Sequence, residues 1–216
     1  GNAYLHHLLG AEIHSVDTRE ERDPAMATVA AQVEAEGGKA IVISLGASTP
    51  LGALGYVRAA IEIDEQLKAL PPAERTWVFV SASSCGTYAG LAVGFSLLGR
   101  SDVRLVGVSP DVDTEEIEQV TQDLCQGTAA LLGTTDALPP DLLISTDEYI
   151  GDGYGIPTEG STEATSLLAR TEGVLLDPVY TAKTAAGMLD WARKNKVPQG
   201  DRLVLWHTGG YPSAFV

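Results

Sequence analysis

Two rhythms of apolar residues alternate along the chain. Short continuous runs, WVFVSA (77–82), VRLVGV (103–108), DLLIST (141–146), GVLLD (173–177) and RLVLWH (202–207), predict strands buried on both faces. Between them apolar residues recur at helical spacing and predict helices over about 87–99, 113–132, 160–171 and 181–195. The same alternation holds upstream: a helix over 3–10, a short strand in AEIHSV (11–16) and a buried strand in KAIVISLG (39–46). Asp23 followed by Pro24 predicts a capped helix start, and Gly37–Gly38 its end. A long helix from Leu51 stops near Leu70, before Pro71–Pro72. Asp113 and Glu116 form a pair resembling a capping box. Buried strands alternating with helices give an α/β fold, a parallel sheet with helices on both faces.

Composition narrows the function without naming it. At 216 residues, 44% hydrophobic and 20% charged, the chain is an ordinary globular one. Its net charge of −15 argues against nucleic acid, whose phosphates need clustered Lys and Arg. No apolar run approaches the ~18 residues of a membrane span. Cys85 and Cys125 form no closely spaced metal motif and suggest a reducing compartment, so cytoplasm is expected.

In open α/β sheets ligands bind beyond the carboxyl ends of the strands. Polar residues stand there in three places: Ser83–Thr87, Asp177–Thr181 and His207–Gly210. A fourth segment, GDGYGIPTEG (151–160), sets a tyrosine among glycines. Two chemistries fit these residues. Ala82-x-Ser84-x-Gly86 is one residue short of a nucleophile elbow, and Asp177 and His207 follow in α/β-hydrolase order, which would make a serine hydrolase. Alternatively, a strand, a small polar turn and a helix capture an anion on backbone N–H groups, with no Lys or Arg required. The chain lacks the GxxxxGK[ST] loop of a nucleotide triphosphatase, so a cofactor phosphate fits better.

Four segments, GASTPLGALGYVRAA (46–60), GYGIPTEG (153–160), LLDPVYTAK (175–183) and HTGGYP (207–212), together resemble the D-cysteine desulfhydrase and 1-aminocyclopropane-1-carboxylate (ACC) deaminase family. The similarity runs from Gly1 to Val216, with the motifs in the family's order. The resemblance implies a pyridoxal-phosphate enzyme of the tryptophan-synthase-β fold type with a small amino-acid substrate, and a homodimer at full length. It implies that Ser84, Cys85, Gly86 and Thr87 cradle the cofactor phosphate. Cys85 departs from a turn where glycine is common, as a tolerated small residue or as a reactive thiol. Tyr154 and Tyr180 match the family's two active-site tyrosines. Thr181 stands where the deaminases carry a glutamate facing the pyridine nitrogen, and a neutral hydroxyl there suits β-elimination. Thr208 and Gly209 would close the other side of the ring. Asp177 reads as a helix cap and His207 as a packing residue.

The implied activity is therefore D-cysteine desulfhydration to pyruvate, ammonia and hydrogen sulfide, with ACC deaminase or L-cysteate sulfo-lyase as the near alternatives. A Schiff-base lysine is essential to that chemistry. None of Lys39, Lys68, Lys183, Lys194 and Lys196 matches the family's position. The chain also opens GNAYLHHLLGAEI, without Met and already helical. The expectation is a C-terminal portion with its N-terminal part missing, poorly stable and inactive alone. Residues 1–50 would be the tail of the smaller domain and 51–216 the larger, cofactor-binding one. A complete protein of this length would instead be a non-catalytic phosphate-binding module.

Overall fold

The computed structural model describes residues 2–134, 138–211 and 213. It divides into two compact units, residues 1–47 and 48–216. Pro212, the last residue of the HTGGYP motif, lies outside the described residues.

The second unit is built on four parallel strands, β1 (Thr76–Ser81), β2 (Val103–Val108), β3 (Leu143–Thr146) and β4 (Arg202–Leu205), in the order β3-β2-β1-β4. Phe79 of β1 stands level with Val106 of β2 and Leu205 of β4, so β1 is paired on both sides. Its side chains alternate between two cores. Val78 and Val80 join Tyr88, Leu91 and Phe95 on one face, while Trp77 and Phe79 join Val106, Val108 and Trp191 on the other. This double burial is why β1 reads as one unbroken apolar run.

Five helices cover the sheet: α3 (Pro50–Lys68), α4 (Gly86–Leu97), α5 (Thr114–Leu131), α6 (Glu159–Thr171) and α7 (Thr181–Arg193). Asp113 caps α5, its Oδ1 accepting from the Glu116 N–H at 2.9 Å. Thr49 Oγ1 caps α3 through Gly52 N–H, and Thr158 forms a capping box with Ser161 on α6. The small residues of α4 serve helix packing. A Cβ on Gly90 would collide with the Ala53 carbonyl and lie 2.6 Å from Tyr56 Cβ, and one on Gly94 would collide with Ala60. Gly90 and Gly94 thus let α4 approach α3 backbone to backbone.

The first unit holds α1 (Asn2–Leu8) and α2 (Arg22–Ala35). α2 starts just before the expected cap, with Asp23 inside its first turn, where a carboxylate still favours the positive helix end. A cavity of about 860 Å³ runs along α2, lined by Val16, Met26, Val29, Ala30, Ile41 and Ile43 among others.

Three expected strands differ. Residues 11–16, 39–46 and 173–177 pair in no ladder among the described residues. The first two lie in the smaller unit, and Ile41 is 89% exposed there rather than buried. In the third, Leu176 is buried, but the Leu175 carbonyl meets the His207 ring instead of a strand. No helix among the described residues is long and apolar enough to cross a membrane.

Candidate active site

Because the sheet is parallel, its four strands end at one edge. Beyond β1 the chain turns through Ser83–Thr87 into α4. Cys85 occupies the N-cap of α4 at φ 62°, in the left-handed region, and makes no side-chain cap. A side chain costs about 1–2 kcal/mol there, which is the physical reason for glycine at such a position. The N-termini of α3, α5 and α6 are closed by their own caps, and that of α7 by Asp177. The start of α4 has a different arrangement. Ser48 Oγ accepts the Gly86 N–H at 3.2 Å and donates to Ser84 Oγ at 2.8 Å. The helix therefore begins with a positive dipole end, small hydroxyl side chains and no carboxylate cap at the sheet's functional edge.

Cys85 is enclosed. It is 3% exposed, its Sγ donates to the Ser83 carbonyl at 3.3 Å, and burial pushes its thiol up. Enclosure and a tightly held proton favour the tolerated small residue over the reactive thiol.

The two expected tyrosines meet. Tyr154, on the glycine-flanked loop, and Tyr180, at the start of α7, stand 26 residues apart, and their hydroxyls are 2.6 Å apart. The rings lie edge to face with centroids at 5.9 Å. Burial first, and then the Tyr154 hydroxyl, push the Tyr180 phenol well above its ordinary value. Tyr180 is thus a neutral phenol at physiological pH, a proton donor rather than a base.

Asp177 is the cap expected of it. Its Oδ2 accepts from the N–H groups of Val179 and Tyr180, and its Oδ1 from Thr181 N–H and Thr181 Oγ1, the last at 2.6 Å. Thr181 is fully buried, and its hydroxyl also accepts from Asp177 N–H. The hydroxyl's one proton is committed to Asp177, so position 181 presents neither a charge nor a free donor. Gly210 comes close enough that a Cβ there would lie 2.5 Å from Asp177 Cβ, which packs the turn after β4 against this cap. In that turn Thr208 is exposed, and Gly209, at φ 98°, donates its N–H to His207 Nδ1.

These partners dismantle the hydrolase reading. The His207 Nδ1 accepts from Gly209 and Nε2 donates to the Leu175 carbonyl at 2.9 Å, so both ring nitrogens are engaged by backbone. Asp177 serves α7, and Ser84 is bonded to Ser48. No described hydrogen bond links Ser84, Asp177 and His207.

One site group was missed from the sequence. Burial dominates the shifts of Cys85 and Tyr180 upward and of Lys183 downward. The Asp111 carboxylate, in the turn after β2, adds a smaller charge effect to each, so one carboxylate neighbours the turn, the tyrosine pair and the buried lysine. Its place after a strand was the available signal. The lysines of this unit are all engaged: Lys68 with Asp64, Lys194 with Asp190, Lys196 with Glu148, and Lys183 with three carbonyls.

The family of pyridoxal-phosphate dependent enzymes matches residues 1–209. D-cysteine desulfhydrase of Salmonella newport (strain SL254) is 38% identical over 215 residues, covering all of this chain and 64% of its own. A crystal structure of an ACC deaminase homologue superposes with TM-score 0.83 at 33% identity, over 99% of this chain and 63% of that one. O-ureido-L-serine synthase shares the fold, with TM-score 0.57 at 16% identity over 97% of this chain and 61% of the other. The chain spans 64% of the length of the curated relatives it matches, and the C-terminal placement expected from its motifs gains nothing from that length.

Proposed function

Because the chain belongs to the pyridoxal-phosphate dependent enzymes, we propose that Ser84–Thr87 hold the cofactor phosphate and that the protein is a lyase of the D-cysteine desulfhydrase type. The residues fit the group. α4 opens without a carboxylate cap, its Ser84, Gly86 and Thr87 are small, and a dianion suits the start of a 12-residue helix. Thr208 and Gly209 lie on the neighbouring turn beyond β4 and flank the ring in this reading.

Position 181 carries the choice of substrate class. A threonine whose proton is held by Asp177 puts no carboxylate at the place where the deaminases have glutamate. When bound, the cofactor supplies the electron sink for loss of the Cα proton, and an uncharged neighbour suits β-elimination better than ring opening. D-cysteine and water then give pyruvate, ammonia and hydrogen sulfide. Tyr154 and Tyr180 share one hydrogen bond, which leaves one phenolic proton to direct outward, toward the substrate carboxylate or the leaving sulfur. The half-exposed Tyr154 meets the substrate, and the more enclosed Tyr180 orients it.

The test has two arms. Pyridoxal phosphate binding, followed by Trp fluorescence, is expected to be competed by inorganic phosphate and weakened about tenfold by Thr87→Ala, the loss of about one hydrogen bond. Unchanged binding sinks the phosphate assignment. Offered D-cysteine and ACC, the whole protein is expected to release sulfide faster than 2-oxobutanoate, and the reverse order makes it a deaminase. None of Lys39, Lys68, Lys183, Lys194 and Lys196 matches the family's Schiff-base position, so this chain by itself is expected to bind without turnover.

A further inference from the structure

The lyase reading leaves one buried charge without a role. Lys183 is fully enclosed, three residues after Tyr180 on the first turn of α7. Its Nζ donates to the carbonyls of Ile150 at 2.7 Å, Gly153 at 2.9 Å and Pro110 at 3.2 Å. Three carbonyls take all three protons of an ammonium. A neutral amine would have two protons and turn its lone pair on the third carbonyl. Ile150 and Gly153 bracket the loop that carries Tyr154, and that loop is otherwise weakly determined. Gly151, Gly153 and Gly155 have φ of 68°, 143° and 74°, and Tyr154 is 57% exposed.

We propose that Lys183 is a positioning residue, whose ammonium pins the Ile150–Gly155 loop to α7 and so holds Tyr154 against Tyr180. The proposal rests on the reading of that pair as substrate-facing. Residues three apart on a helix are neighbours, so one turn of α7 presents Tyr180 and fastens the loop that brings its partner. The third carbonyl, Pro110, ties the same Nζ to the turn after β2; burial lowers the lysine's proton affinity, and the three carbonyls and the nearby Asp111 carboxylate oppose that. Lys183 is thereby occupied as a strut and has no amine to offer the cofactor.

The test needs no substrate. In Lys183→Met, backbone amide exchange over residues 150–155 is expected to rise at least tenfold, while exchange in β1 stays that of the parent. If Lys183→Met loses protection throughout, Lys183→Gln decides. It keeps two N–H donors, so intermediate exchange confined to the loop supports the strut. Loop exchange equal to the parent's overturns the proposal, as does a rise shared equally with β1. Borohydride labelling of Lys183 in the presence of pyridoxal phosphate overturns it too, by making the lysine a cofactor amine. A protein that releases no sulfide yet shows the loop-confined change loses the lyase reading and keeps the strut.

Discussion

Cys85 holds a left-handed backbone that a glycine would adopt freely, and its buried sulfur is the compensation. Cys85→Gly removes the strain and the sulfur together, so its denaturation midpoint should stay within about 1 kcal/mol of the parent. Cys85→Val keeps the strain and adds a β-branch, and should rank clearly below Cys85→Gly; the opposite order would deny the strain. Asp64 gives a second prediction. It is 2% exposed, and although burial pushes its carboxyl up, hydrogen bonds from Lys68 and Arg100 hold it below the ordinary value. A carboxyl lowered in the folded state stabilises fully above its unfolded value of about 4, and that stabilisation is lost as pH falls through the folded one. The thermal midpoint should thus drop more steeply below about pH 4 in the parent than in Asp64→Asn, which has no such proton to gain.

Among the elements, α4 has least room. Gly90→Ala drives a methyl into the Ala53 carbonyl on α3 and should cost about 1–3 kcal/mol. Gly55, on the exposed side of α3, meets nothing within 4 Å, so Gly55→Ala should stabilise by about 0.5–1 kcal/mol. Chemical denaturation of the two variants reads both, and equal effects would refute the packing argument. The same elements show what the sequence discloses. β1 and α3 to α7 were legible because double burial leaves continuous apolar runs and amphipathic faces leave helical spacing. Residues 39–46 have as apolar a run as β1, yet form no ladder, because a run records a tendency to be covered and not the identity of a partner. The turn at Ser83–Thr87 was legible from its place after a strand. The meeting of Tyr154 with Tyr180 followed from family likeness, since no local pattern links positions 26 residues apart. Lys183 closes the LLDPVYTAK motif, but nothing local discloses its partners, which are backbone carbonyls that every sequence has.

At the scale of the whole molecule, the smaller unit carries Ile41, Val42 and Ile43 at 89, 55 and 70% exposure. A contiguous apolar face of this kind binds hydrophobic dyes and favours self-association, even on a chain of net charge −15. Purified chain should therefore enhance anilinonaphthalene sulfonate fluorescence. Ile41→Glu should reduce it and shift stability by no more than about 0.5 kcal/mol, as for a surface substitution. Dye binding indifferent to Ile41→Glu would place the adhesive surface elsewhere.

The central place of β1 has a consequence in time. A strand paired on both sides and buried on both faces opens only with the molecule, so the turn at its end keeps the slow clock of global unfolding. The loop of Tyr154, moored by the Lys183 and Tyr180 side chains, keeps a clock of its own, in the range of nanoseconds to microseconds typical of loops. If arrivals and departures are gated here, the gatekeeper is the tyrosine loop, and the phosphate turn stays at its post throughout.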